Sequence, residues 1–209
     1  MGAVLARFLA RQLGKPSGLF GRLFLAPLWN RRNRALNDAV LERLAVQPGD
    51  RVLDVGFGGG YLLGRLATER AASFLAGVDI SAVMVARGAQ RYRRLVQAGR
   101  MDLRCAAAEA LPYPAGHFTK VCSVNSIFYW HDARAALAEC YRTLETGGQL
   151  VLCFTSRQSL TPRRFAAHGL TLPEPPDVQA ALESCGFRTV RTARGADRHR
   201  TYYCTTAQK

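Results

Sequence analysis

Not one carboxylate side chain occurs between Met1 and Asn37, although the 209-residue chain carries 15 acidic residues against 29 basic ones. That opening segment holds Arg7, Arg11, Lys15, Arg22, Arg31, Arg32 and Arg34, half of the net charge of +14. The imbalance favours anionic partners in general, whether nucleic acid, acidic metabolites or lipid headgroups, and does not choose among them. No uninterrupted apolar run reaches 18 residues, which argues against a membrane-spanning helix. The six cysteines (Cys105, Cys122, Cys140, Cys153, Cys185, Cys204) contain no CxxC pair. Most stand in apolar stretches, where a free thiol behaves as a small hydrophobe, so structural thiols are favoured over a disulfide framework or a metal site. Zinc-finger spacing is missing too, as is any aromatic-basic strand of the kind that reads single-stranded RNA. Internal repeats and low-complexity segments are likewise absent.

What is there suits one α/β domain behind a basic lead. Residues 1–35 read as a cap or lid segment and 36–209 as the domain. In the lead, "MGAVLARFLARQL" sets Leu5, Phe8, Leu9 and Leu13 on one side of a helix, with Arg7 and Arg11 on another. Such a helix packs on the domain or lies on a membrane surface, and both readings stay open. Arg7 and Arg11 interrupt the apolar centre a signal peptide needs. Ala6 stands where a myristoylation signal has Ser or Thr.

From residue 36 onward strands and helices alternate. "LNDAVLERLAV" spaces Leu36, Val40, Leu41 and Leu44 as a helix face, and "QPGD" turns the chain into the strand "RVLDV". Further strands are expected at "SFLAGVDI", near Met101 to Cys105, at "KVCSV" and at "QLVLCFT". Helices are expected from Tyr61, over Ala82 to Ala98, and from Ala133 to Leu144 with a stop at Gly147 and Gly148. This order predicts a mostly parallel sheet covered on both faces. The tail places a helix at "DVQAALESCGF" before two strands, "RTVRT" and "HRTYYCTTA". The link between them is too short for a parallel return, so the sheet should finish in an antiparallel hairpin.

The densest signal is "RVLDVGFGGGYLLGRL", with Gly56, Gly58, Gly59 and Gly60 at the end of the first strand. Residues without a β-carbon permit a sharp turn and let a ligand lie against the backbone. A phosphate-binding loop requires Lys then Ser or Thr, but Tyr61 and Leu62 follow. A dinucleotide fingerprint requires glycine where Tyr61 stands. What remains is GxGxG preceded by Asp54. Asp79 closes the second strand 19 residues after Gly60, placed to accept two ribose hydroxyls or to cap a helix with Ser81. Ile80 and Met84 follow, as walls for a base or as ordinary core.

Through "VLDVGFGGG", "GVDIS", "AEALPYPAGHFTKV", "SVNSIFYWHD" and "YRTLETGGQLVL", residues 36 to 155 resemble the class I S-adenosylmethionine-dependent methyltransferases. The similarity is strongest to the small-molecule branch of quinone, sterol and other metabolite methyltransferases. It implies a Rossmann-like α/β domain with a mostly parallel seven-stranded sheet, an antiparallel last strand and helices on both faces. It further implies S-adenosylmethionine as cofactor. Asp54 orients the methionine ammonium, Gly56, Gly58 and Gly60 pass beneath the cofactor, Asp79 takes the ribose, and Ile80 and Met84 border the adenine. The backbone around Asn125 faces the methionine end, with a side-chain contact from Asn125 in view. Many relatives carry an aspartate for the adenine amino group where this chain has Ala107; backbone groups of Ala107 and Ala108 are the replacement, and Glu109 needs a different loop path. Thr119 in "FTKV" replaces a common aspartate, with a structural consequence expected.

The expected reaction is methyl transfer to a small-molecule acceptor by direct in-line displacement. Tyr129, Trp130 and His131 are the pocket candidates, with His131 and Tyr129 as catalytic choices. Against them, "HD" before a helix reads as a surface turn with Asp132 as cap. Arg157, Arg163 and Arg164 lie in a short loop that bounds the pocket, so the acceptor is expected to be small, and anionic or lipid-like. A nucleic-acid methyltransferase fits the charge but not "NSIF", which lacks the prolines of base-amino methylation. A catalytically silent S-adenosylmethionine binder is the other rival. A cytoplasmic location, no metal and a peripheral membrane contact through the N-terminus complete the expectations.

Overall fold

The computed structural model describes residues 33–69, 72–159 and 174–209. The basic lead up to residue 32 and the stretch 160–173, with Arg163 and Arg164, lie outside the described residues.

Helix α1 (Arg34–Leu44) precedes strand β1 (Arg51–Val55), helix α2 (Tyr61–Glu69) and strand β2 (Phe74–Asp79). Helices α3 (Ala82–Arg91) and α4 (Arg93–Gln97) lead to β3 (Met101–Cys105) and β4 (Phe118–Val124). Then come α5 (Ala133–Thr143), β5 (Leu144–Thr155), α6 (Pro175–Ser184), β6 (Arg188–Ala196) and β7 (Thr201–Gln208).

The strands form one seven-stranded sheet in the order β3-β2-β1-β4-β5-β7-β6. Strands β1 to β5 pair in parallel, while β7 runs antiparallel to both β5 and β6. The expected hairpin at the end of the chain is therefore present. The succession β1, β2, β3 spreads one way and β4, β5 the other, so the order reverses between β1 and β4. A crevice opens at the carboxyl ends of strands at such a reversal, and ligands of open α/β sheets bind there.

Both faces of the central strands are covered, so β1 is buried continuously from Val52 to Val55, Asp54 included, rather than in alternation. On one face Leu53, Val121, Leu150, Leu152 and Phe154 pack with Leu137 of α5 and Leu182 of α6. On the other, Val52, Leu75, Cys122, Val151 and Cys153 meet Leu36, Val40 and Leu44 of α1 and Leu63 and Leu66 of α2. Four of the six cysteines are buried in these layers and all six are free thiols.

Two expectations need correction. The helix expected over residues 82–98 breaks at Tyr92 (φ −105°, ψ 23°) into α3 and α4. The helix ending near residue 144 is not stopped by glycine: α5 closes at Thr143, and Leu144, fully buried and paired with Phe118, starts β5. Gly147, at φ +80°, bends the beginning of that strand and donates its N–H to the Lys209 carbonyl at 3.0 Å. At the far edge, β6 leaves Arg188, Arg191 and Arg194 exposed.

Candidate active site

Beyond Val55 the chain turns through Gly56, Gly58 and Gly60, at φ +79°, +51° and +70°. The N–H groups of Gly56 and Phe57 both donate to the Val78 carbonyl, at 2.7 and 3.3 Å, so the turn leans on the end of β2. A β-carbon on Gly56 would collide with the Cβ of Ser126, which follows β4. At Gly58 such a carbon would meet only the Gly56 carbonyl, at an ordinary contact distance of 3.9 Å. Phe57 anchors the turn from below, its ring in contact distance of the space over Gly77 and Gly88 that a side chain there would fill.

Two carboxylates flank the turn. Asp54 is 3% exposed, and its pKa is raised to about 8, first by burial and then by the neighbouring Asp79. A positive group placed beside such a buried acid would restore its charged form. Asp79 accepts the Gly58 N–H through Oδ2 and the Ser81 N–H through Oδ1, each at 2.8 Å. Burial raises its pKa while those two donors oppose the rise. Asp79 thus closes a turn onto Ser81, the N-cap of α3, without capping the helix itself, and each of its oxygens keeps further lone-pair capacity.

Next to Asp79, Ile80 is 46% exposed, the one large hydrophobic residue exposed among the described residues. Met84, paired with it in the sequence reading, is 1% exposed and belongs to the core with Phe57 and Leu63. Only Ile80 of the two presents surface. Ala107 is half-buried, with its carbonyl accepting the Ala110 N–H at 3.2 Å, and Ala108 is buried in the core. The Glu109 carboxylate takes the backbone N–H groups of His131 and Asp132 at 2.6 and 3.1 Å, which directs it away from the adenine role.

Across the crevice, Asn125 sits at φ +55°. Its Oδ1 accepts the Thr155 N–H at 2.8 Å and the Thr155 hydroxyl at 3.1 Å, and its Nδ2 donates to Asn33 Oδ1 at 2.9 Å. The side chain therefore ties the ends of β4 and β5 to the start of α1, and the Asn125 N–H donates to the Cys153 carbonyl at 2.8 Å. Tyr129 is half-buried against the core, and burial pushes its phenol up to about 12, so it remains a protonated donor at neutral pH. Trp130 is buried. His131 is exposed, and Asp132 caps α5 by accepting the N–H groups of Arg134 and Ala135 at 2.9 and 3.1 Å. Thr119, in place of the common aspartate, donates to Asp50 at 2.6 Å and accepts the Arg51 N–H, a purely structural link at the other end of the sheet.

Sequence reasoning missed Ser126, Tyr92, Asn33 and Arg200. Ser123 and Ser126 both donate to the Val55 carbonyl, at 2.8 and 3.0 Å, binding the last peptide of β1 to β4. Tyr92 donates its hydroxyl to the Gly60 carbonyl at 2.6 Å and lies under Gly60 and Gly64, where β-carbons would be 3.2 and 2.6 Å from its atoms. The glycines four apart in "GYLLG" were the available signal: they mark a helix face cleared for another group's approach.

The Methyltransferase domain family model matches residues 53–152, the span holding the turn, both carboxylates and Asn125. Over 85% of its length the chain is 27% identical to an uncharacterized methyltransferase of Bacillus subtilis, covering 93% of that protein. It is 34% identical over 70% of its length to the ubiquinone/menaquinone biosynthesis C-methyltransferase of Geobacter sulfurreducens, covering 61% of it. The chain belongs to the class I S-adenosylmethionine-dependent methyltransferase family. It spans 41% to 69% of the length of the O- and C-methyltransferases it matches beyond the Bacillus protein. In fold, the methyltransferase resembles the [4+2]-cyclase SpnF at a TM-score of 0.71, 24% identity, and coverage of 84% and 80% of the two chains. Among the described residues of this methyltransferase no helix is long and apolar enough to cross a membrane.

Proposed function

We propose that this methyltransferase moves the methyl group of S-adenosylmethionine to a small-molecule acceptor by in-line displacement, with the cofactor along the Gly56–Gly60 turn. One observation carries the assignment: a buried carboxylate with displaced titration and a second, hydrogen-bonded carboxylate flank a turn of three positive-φ glycines. The residues fit the cofactor's chemistry. Asp54 receives the methionine ammonium, Asp79 the ribose hydroxyls, Ile80 one face of the adenine, and the peptide groups of Ala107 and Ala108 its edge.

The cofactor supplies a sulfonium-activated methyl group, so the protein's work is alignment and exclusion of water, without a covalent protein intermediate. Asn125 and its neighbours hold the methionine end. Tyr129 offers a protonated hydroxyl that orients the acceptor, while His131 takes the acceptor's proton where the acceptor needs a base. The arginines of the basic lead draw in an anionic or lipid-like acceptor. The C-methyltransferase relatives of quinone biosynthesis support an aromatic or isoprenoid compound of that size. A cytoplasmic location, with membrane contact confined to the lead, is part of the same reading.

A second reading is favoured by the cyclase of the same fold: this architecture also serves a reaction other than methyl transfer. A tritiated methyl-transfer screen over metabolites, lipids and nucleic acid, run on the full chain and on a chain lacking residues 1–32, tests the proposal. Label in a small molecule supports the proposal, and its loss on truncation supports the role of the lead. Label only in RNA or DNA rejects the acceptor class, and no label with intact cofactor binding supports the silent binder.

A further inference from the structure

Asn125 keeps a left-handed backbone, φ +55°, which among residues other than glycine asparagine adopts most readily, and its side chain is fastened on both sides. Its side chain uses two partners, Thr155 and Asn33. Both partners are themselves held by one residue from a distant part of the chain. Arg200, in the turn between β6 and β7, donates from NH1 to Thr155 Oγ1 at 3.2 Å and from NH2 to Asn33 Oδ1 at 3.1 Å. The four residues close a ring: Arg200 to Asn33, Asn33 to Asn125, Asn125 to Thr155, and Thr155 back to Arg200. The ring joins four segments that are far apart in sequence. Behind it, Asp197 receives the Arg200 Nε at 3.3 Å and, through Oδ1, the N–H groups of His199 and Arg200 at 2.8 and 3.0 Å. That arrangement aims the planar guanidinium, whose fork can serve two acceptors at once.

We infer that Arg200 is a positioning residue for the methionine end of the cofactor, acting through Asn33 and Thr155 to set the Asn125 corner. The inference rests on the proposed placement of that end beside Asn125. Asn33 shows what the ring takes precedence over. It stands at the N-cap of α1, yet its side chain makes no capping hydrogen bond, because its Oδ1 is turned to Asn125 and Arg200. An asparagine that forgoes its cap gives up stability that this position commonly supplies. The same residue stands at the start of α1, so the ring fixes the beginning of that helix as well as the Asn125 corner.

The test compares S-adenosylhomocysteine with 5′-methylthioadenosine, which carries the same nucleoside without the amino-acid tail. By titration calorimetry, Arg200→Met should weaken S-adenosylhomocysteine binding about tenfold, the scale of one lost hydrogen-bonded contact, and leave 5′-methylthioadenosine binding at the parent value. Arg200→Lys, with one compact ammonium in place of the fork, should fall between Met and the parent. Asn33→Ala breaks the ring without touching Asp197 and supplies the same comparison if Arg200→Met fails to fold. In an Asn125→Gly background the Arg200 effect should vanish, because the residue it acts through is gone. Equal losses for both ligands, unchanged S-adenosylhomocysteine binding in Arg200→Met, or additive effects with Asn125→Gly overturn the inference. A parent protein that binds neither ligand overturns the methyltransferase site itself, a distinct result.

Discussion

The Asp79 carboxylate accepts the Gly58 N–H through Oδ2 at 2.8 Å, so the residue assigned to the ribose also fastens the glycine turn. Removing it should act on both. Asp79→Ala is expected to weaken S-adenosylmethionine about 10- to 100-fold, the range of hydrogen bonds to a charged group. Asp79→Asn, which retains a carbonyl acceptor, should lose less. Calorimetric titration checks the order, and unchanged affinity in the alanine variant would remove the ribose from this carboxylate.

Asp54 predicts a pH dependence with two opposite signs. Its folded-state pKa of about 8 lies above the ordinary 3.8, so between these values the folded chain holds a proton that the unfolded chain has released. Stability of the unliganded protein should therefore fall as pH rises through that window and level off above it. Cofactor affinity should climb over the same interval, because the ammonium requires the ionised carboxylate, by up to about tenfold per pH unit. Asp54→Asn should melt at a higher temperature than the parent at pH 8 and bind S-adenosylmethionine far more weakly. Melting curves and titrations at pH 5, 6.5 and 8 provide the check, and a parent whose stability and affinity are flat with pH contradicts the account.

Gly56 is constrained twice, by its positive φ and by Ser126. Gly56→Ala should cost about 1–2 kcal/mol from the backbone and about 1–3 kcal/mol from overpacking. In a Ser126→Gly background, which already lacks the hydrogen bond to the Val55 carbonyl, the same substitution should cost only the first part. Chemical denaturation of the two single variants and the double variant measures both portions.

Ala107→Asp should leave cofactor affinity intact or raise it by up to about tenfold, since a new acceptor gains a hydrogen bond while its burial offsets part of that gain. Ala107 is half-buried, and its turn is already closed by the Ala110 N–H. A large loss in a folded variant would mean that the peptide groups of this turn already serve the base and leave no room for an acid.

The sheet was legible because its evidence is local. "RVLDV" is apolar on both faces and ends in glycines, and Arg51–Val55 is the strand observed. The carboxylates beside the turn were legible for the same reason, each standing at a strand end. What escaped was carried by contacts with no local trace. Arg200 meets Asn33 across 167 positions, and Asn33 meets Asn125 across 92. Tyr92 sits in a stretch whose residues favour one continuous helix, and its hydrogen bond to Gly60 accompanies a break that propensity does not foresee. Met84 failed differently: the periodicity that marks a helix face cannot tell a pocket wall from the core behind it.

The outer margin of β6 has a consequence for the protein in solution. A last strand presents unmatched peptide groups, which invite another chain to continue the sheet. Here Arg188, Arg191 and Arg194 stand exposed along it, so two such margins repel each other as they approach. That protection is electrostatic and is strongest at low ionic strength, with a reach that shrinks to about 3 Å at 1 M salt. Concentrated salt and multivalent anions, commonly added to keep basic proteins dispersed, would here weaken the barrier that keeps the molecules apart.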